Sequence, residues 1–267
     1  MRKPRPDYKR PRHPRSPHRE DGAKPRRTDA LRVAGLAAVS ALFQQAPERV
    51  ERLFFLPDMG RAVGRFCQAL GRAHKPYRQV DADELGRIAG TAMHGGVVAL
   101  AKPRPVIPFD PAEAASWAPT VPLLVVLDGI GNPHNLGAIA RTAAFLGIDR
   151  LVISDDPGQA GPSDAAYRVA EGGLEFVQIF RATALPSILQ QLKPAYLVVG
   201  TALGRGRKPE ALPRAAIALV LGNEERGLST QTLHACDEIV TIPGSGWVQS
   251  LNVAATAAIL MHALRAR

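Results

Sequence analysis

Cysteine is nearly absent from this chain: two occur among 267 residues, Cys67 and Cys236, far apart and without metal-type spacing. That excludes a disulfide frame and a cysteine metal site, and it points to buried free thiols in a reducing compartment. No metal site is expected. Aromatic residues are scarce, at 5%. The start, Met1-Arg2-Lys3-Pro4, has no apolar run behind it, so no secretory signal is expected. The longest low-charge stretch, residues 242–261, is interrupted by Pro243, Ser245, Gly246, Gln249 and Asn252, which argues against a membrane span. A cytoplasmic chain with no membrane partner is the expectation.

What is present in excess is positive charge, +10 in all. Residues 1–27 hold eleven Lys/Arg against three Asp/Glu, a net +8, so the remainder carries only +2. A basic segment of this kind suits a polyanion through phosphate neutralisation and counterion release. A disordered solubilising extension has the same composition. The segment is rich in Pro, Arg, Lys and His without an apolar period, so residues 1–28 are expected to be disordered.

From Ala30 an apolar period begins, and Leu31, Ala34, Leu36, Ala38 and Leu42 predict a helix through about Gln45. A strand at 52–56, a helix near 61–74, a strand at 77–80, a helix at 83–88 and a strand at 96–101 follow. Residues 29–102 thus read as a small α/β domain. Six prolines between Pro103 and Pro122 mark 103–120 as a semi-rigid linker. Beyond it, apolar strands (123–127, 151–154, 196–201, 217–221, 238–242) alternate with helices (135–146, 185–192, 251–264). Unbroken apolar strands between helices indicate a parallel sheet covered on both faces, in a domain spanning 121–267.

Three unusual segments each follow a predicted strand, and ligand sites in open α/β sheets lie beyond the carboxyl ends of strands. The first runs from Asp128 through Gly129, Gly131, Asn135 and Gly137 to Arg141. A dinucleotide register from Gly129 requires glycine at 134 and meets His134, so that reading fails. Asn135 has the character of a helix N-cap. Arg141 stands among Ala138, Ile139, Ala140, Ala143, Ala144, Phe145 and Leu146, the profile of a buried helix, so its guanidinium is expected to be paired or to face a polar cavity. The second segment, Gly222-Asn223-Glu224-Glu225-Arg226-Gly227, is either a solvated turn or a close ligand approach, and Glu224 is a candidate partner for Arg141. In the third, Ile242 to Asn252, Ser250 has the character of a cap, and the helix start it precedes offers free N–H groups to an anion. Asn252 enters an almost wholly apolar helix, so its amide must find a polar partner. The small residues of that helix suit a crowded core or a dimer interface.

These segments, in this order, resemble the SpoU-type (TrmH-like) RNA ribose 2′-O-methyltransferases of the SPOUT superfamily. Asn135, Gly137 and Arg141 match an Asn-x-Gly helix with arginine six residues after the asparagine. Leu221, Gly222, Glu224 and Gly227 match Leu-Gly-x-Glu-x-x-Gly, and Ile242, Pro243, Ser250, Leu251, Asn252 and Val253 match Ile-Pro followed by Ser-Leu-Asn-Val. The likeness covers 121–264. Residues 30–101, ending in His94-Gly95-Gly96-Val97, are more loosely similar to the family's small N-terminal RNA-binding domain, itself like ribosomal proteins. The chain departs from the family at Gly244, where methionine is common, and at Ala170-Glu171-Gly172-Gly173-Leu174-Glu175, where a Ser-Ala-Gly-Ala-like stretch is common.

The resemblance implies an α/β fold with a trefoil-knotted, mostly parallel sheet and helices on both faces, a homodimer, and S-adenosylmethionine as cofactor. It implies cofactor contacts at Thr201, Gly222, Ile242 and Leu251, and catalytic roles for Asn135, Arg141, Glu224, Ser250 and Asn252. The acceptor is then a ribose 2′-hydroxyl of tRNA or rRNA, a poor nucleophile unless its proton leaves or the developing alkoxide is stabilised. An arginine pKa above about 12 disfavours Arg141 as base and favours it as electrostatic stabiliser, held by Glu224, with Ser250 and Asn252 orienting it and the substrate. Two other readings compete: a non-catalytic RNA-binding or ribosome-assembly factor on the same fold, and a Rossmann-type methyltransferase, which the missing Gly-rich first loop disfavours.

Overall fold

A computed structural model describes residues 30–265; the segment 1–28, expected to be disordered, lies outside them. The first correction comes at once. The stretch whose period predicts one helix is a strand, Leu31–Ala34 (β1), followed by a helix, Leu36–Gln45 (α1). Gly35 makes the break, at φ 93° and ψ 146°, a backbone conformation that glycine adopts without steric cost. Leu31 and Val33 point inward with Arg32 between them, a period of two that a helical count over 31–42 blurs.

Val50–Phe55 (β2), Gly60–Arg72 (α2), Tyr77–Gln79 (β3), Ala82–Ala89 (α3) and Val97–Ala101 (β4) then lie close to their predicted positions. The strands pair in the order β1-β4-β2-β3. Side chains of α1 and α2 (Leu42, Val63, Phe66, Leu70) pack with Leu53, Val97 and Ala99. Leu85 and Ala89 of α3 cover Val98 on the other face.

The stretch 103–120 holds a two-residue strand, Ile107–Pro108 (β5), and a helix, Pro111–Trp117 (α4), capped by Asp110, whose carboxylate accepts the Ala112 N–H at 2.9 Å. The remaining elements are Leu123–Asp128 (β6), Pro133–Phe145 (α5), Arg150–Ser154 (β7), Asp164–Ala170 (α6), Gly173–Phe176 (α7), Gln178–Ala182 (β8), Leu185–Leu192 (α8), Leu197–Thr201 (β9), Ile217–Gly222 (β10), Thr230–Ala235 (α9), Glu238–Val240 (β11) and Val253–Arg265 (α10). Seven strands form one sheet, ordered β11-β9-β10-β6-β7-β8-β5, and all its strand pairings are parallel.

The apolar runs explain this sheet. Leu123, Val125 and Leu127 face one cluster with Leu136, Ile139, Leu174 and Leu260, while Leu124 and Val126 face another with Ala114, Leu185, Leu189 and Ala235. Each buried Val or Leu contributes about 1.5–3 kcal/mol, so both faces must stay apolar. β8 escaped prediction because Gln178 and Arg181 interrupt its apolar positions.

The two sheets are not independent bodies. Leu31, Val33 and Leu42 belong to the same contiguous buried cluster as Ala166, Tyr167 and Leu174. Across that junction the Arg32 backbone N–H and Nη1 donate to the Asp164 carboxylate at 2.9 and 3.0 Å.

Candidate active site

The carboxyl ends of β6 and β10 lie side by side, with Asp128 opposite Gly222 in register, and β9 and β11 continue the row at Thr201 and Val240. Parallel pairing therefore delivers the three unusual loops to one edge of the sheet.

Proline at the helix start and a side-chain cap set α5. The cap is Asn132, whose Oδ1 accepts the His134 N–H at 2.9 Å. Asn135, expected to cap, instead lies within the first turn of the helix and is buried. Its amide is thus free for tertiary bonding: Nδ2 donates to Glu224 Oε1, and Oδ1 accepts from Asn252 Nδ2 at 3.1 Å. Asn252 Oδ1 in turn accepts the Ala254 N–H at 2.8 Å. It is Asn252, not Ser250, that caps α10. The direction of this chain is fixed, because a carboxylate can only accept and a backbone N–H can only donate. Glu224, Asn135 and Asn252, one from each loop, are brought together.

Arg141 and Ser250 are not part of this chain. Arg141 is exposed, and its Nη1 pairs with Glu171 Oε1 at 3.0 Å, not with Glu224. The guanidinium is paired, as expected, but not buried, because α5 buries Leu136, Ile139, Ala140 and Ala143 while the Arg141 and Phe145 edge faces outward. Ser250 and Leu251 are exposed in the loop before α10.

A second set of contacts clamps the loops, on residues that motif reading passed over. Asn223 Nδ2 donates to Gly129 O at 2.8 Å, and its Oδ1 accepts the Glu225 and Arg226 N–H groups at 3.0 and 3.1 Å. Ser154 Oγ accepts the Gly129 N–H at 3.1 Å, and Gln159 Oε1 accepts that of Ile130 at 2.9 Å. Asp128 Oδ2 accepts from Thr232 Oγ1 at 2.9 Å. Burial pushes the Asp128 carboxyl above the usual carboxylate range, and hydrogen bonds from Thr232 and Ser154 partly offset this. The one available signal was position, since Asp128, Ser154 and Asn223 all stand at or just past strand ends.

Of the expected cofactor positions, Thr201 closes β9, with its hydroxyl donating to Val220 O at 3.1 Å, and Gly222 closes β10. A β-carbon on Gly222 would lie 2.5 Å from the Gly227 and Leu228 backbone, so only glycine permits this loop to fold back. Ile242 packs at the margin of the core, and Leu251 lies nine residues further along a mostly exposed loop. Among the described residues, no His/Cys/Asp/Glu group suited to a metal ion occurs.

Residues 122–262 match the SpoU rRNA methylase family, and residues 32–106 match the substrate-binding domain of RNA 2′-O ribose methyltransferases. The chain belongs to the SpoU family. It is 35% identical over 240 residues to a 23S rRNA (guanosine-2′-O-)-methyltransferase of Acinetobacter baylyi, covering 85% of this chain and 94% of that one. With the enzyme of that name from Escherichia coli K12 it shares 32% over 244 residues, 88% and 98% of the two chains. A TrmH-family RNA methyltransferase structure from Porphyromonas gingivalis superposes with TM-score 0.66 at 26% identity over 90% of each chain. The fold is shared with the S-adenosylmethionine complex of a SpoU methyltransferase from Streptomyces viridochromogenes, at TM-score 0.65 and 22% identity over 90% of this chain and 91% of that one.

Proposed function

We propose that the chain transfers the methyl group of S-adenosylmethionine to a ribose 2′-hydroxyl of ribosomal RNA, with a guanosine of the large-subunit RNA as the first acceptor to test. The observation that carries this reading is the chain from Glu224 through Asn135 to Asn252, which ties all three loops to one point. The names of the relatives favour rRNA over tRNA.

The cofactor's part is to supply an electrophilic methyl. Thr201, Gly222, Ile242 and Leu251 would hold it, beside the exposed loop 243–251. Asn135 holds Glu224, whose second carboxylate oxygen is left to accept the hydroxyl proton or orient the ribose. Arg141, a permanent cation, stabilises the developing alkoxide or positions the adjoining phosphate. Asn252 fixes the start of α10 against that centre, and Ser250 stands beside it in the open loop.

Division of labour follows the two sheets: residues 29–102 grip RNA and 121–267 carry the chemistry. Arg61, Arg65 and Arg72 line one exposed face of α2, a helix without a single carboxylate, and the half-exposed ring of Tyr77 adjoins its end at Gly71. Such a face suits phosphates with a stacked base beside them. The trefoil knot belongs to this reading as well: the chain leaves β11 at one margin and returns to place α10 on α5, β10 and β6. So does a homodimer, since Trp247 is 93% and Phe145 86% exposed in the single chain. None of the helices among the described residues is long and apolar enough to cross a membrane.

Arg141→Ala is the decisive variant. It should abolish methyl transfer to ribosomal RNA from cells lacking this protein while calorimetry still detects cofactor binding. Loss of cofactor binding would reject the assigned role.

A further inference from the structure

Between the RNA-gripping part and Arg141 lies one short segment, Glu171–Glu175, in which the chain departs from the family pattern. Both its ends carry a carboxylate, and the two are held by different parts of the molecule. Glu171 Oε1 meets Arg141 Nη1 at 3.0 Å. Glu175 Oε2 accepts from Arg49 Nη1, at the head of β2, at 2.6 Å. That second pair is buried, with 11% and 1% of the two side chains exposed.

Between the carboxylates stand two glycines with no room for a side chain. A β-carbon on Gly172, which sits at φ 97°, would lie 2.7 Å from the Ala41 β-carbon on α1. One on Gly173 would lie 2.8 Å from the Arg141 Cα on α5. Thus α1 packs closely against Gly172, and the backbone of Arg141 packs closely against Gly173. Arg104, in the crossing between the two sheets, donates through Nη1 to the carbonyls of Leu174, Glu175 and Val177 at 3.0, 2.9 and 3.1 Å. Glu171 itself adopts φ 44°, a left-handed conformation that an L residue keeps only when its surroundings hold it.

We infer that Glu171 is a positioning residue for Arg141, and that the docked N-terminal sheet sets it in place through Glu175 and Arg49. The segment is a rigid spacer: the substrate-gripping part bears on Gly172 and Glu175, and the spacer presents Glu171 to the guanidinium. Correct seating of the first sheet thereby becomes a condition for a correctly aimed arginine. This rests on the role proposed above for Arg141.

The test uses the full chain with S-adenosylmethionine and ribosomal RNA. Glu171→Gln removes an exposed charge and should leave folding intact, because exposed pairs stabilise little. Its kcat should fall on the order of 10- to 100-fold, the effect expected of a misplaced catalytic group. KM for RNA and the affinity for cofactor should stay within about twofold, and Glu171→Asp should restore at least half of the rate. The double variant Arg49→Gln/Glu175→Gln removes both buried charges together, so neither is orphaned. Below its melting midpoint it should lose kcat in the same way while still binding RNA. Full or increased kcat in Glu171→Gln, a loss confined to KM, or full kcat in the double variant overturns the inference. If Arg141→Ala itself turns over normally, the failure lies with the role given to Arg141 and not with the spacer.

Discussion

The loops at the carboxyl edge divide into a clamped half and an open half. In the clamped half, 128–135 and 222–228, side chains bind backbone at nearly every turn: Asn223 alone makes three such bonds, and Ser154 and Gln159 hold consecutive amides. In the open half, 243–251, every residue is exposed and Trp247 reaches solvent. Groups that orient a reacting hydroxyl need a fixed frame, whereas a segment that receives cofactor, RNA or a second protomer must keep its polar groups free. On the proposed function, the contrast separates what is prepared in advance from what is completed on binding.

Four measurements would break or sharpen that contrast. The largest effect is expected from Asn135→Ala, which removes the link among all three loops. Methyl transfer should fall on the order of 10²–10³-fold, the scale for losing a preorganised polar contact, as read by single-turnover assay. Gly222→Ala should come next. Its β-carbon meets backbone at 2.5 Å, so about 1–3 kcal/mol of stability should be lost by overpacking, and cofactor affinity with it; an unchanged urea midpoint would show the loop to be more pliant than it looks.

Behind the clamp, burial pushes the Cys236 thiol up from 9.0 to about 11, with the Asp237 carboxylate adding to the shift. A raised pKa in the folded state gives stability that is fully present below pH 9.0 and lost as pH rises through about 11. Melting temperature should therefore fall over that window in the wild type and less in Cys236→Ala. The smallest effect is Trp247→Ala. For an exposed residue the change should stay within about 0.5 kcal/mol in dilute protein, and a larger, concentration-dependent loss would mean a second copy covers the open half.

Most of the fold was legible because it rests on signals of short range. The runs Leu123–Leu127 and Ile217–Leu221 are apolar without interruption, and little except a doubly covered strand accommodates them. Convergence of the three loops was legible from their common place after strands, and the Asn252 amide, entering an apolar helix, had to find a polar partner. The partner's identity was not. Arg141 looked buried because its helix is rich in alanine, yet alanine tolerates solvent and buried surroundings equally, so composition could not tell which edge of α5 faces out. Glu224 was the counterion expected for Arg141, and the packing of α6 and α7 against α5 brings Glu171 to it instead. Gly35 hid the opposite error: a strand and a helix joined by one residue present a mixed period that counts as helical.

The two margins of the large sheet have a consequence for handling the protein. One ends in β5, two residues long, where Pro108 has no N–H to offer a neighbouring strand. The other ends in β11, three residues long and overlaid at Val240 by Arg207. Neither leaves a long ladder of unpaired peptide groups, the feature through which sheets recruit one another into aggregates. Lengthening either margin by design would add such unpaired groups to a sheet built of consecutive apolar strand positions.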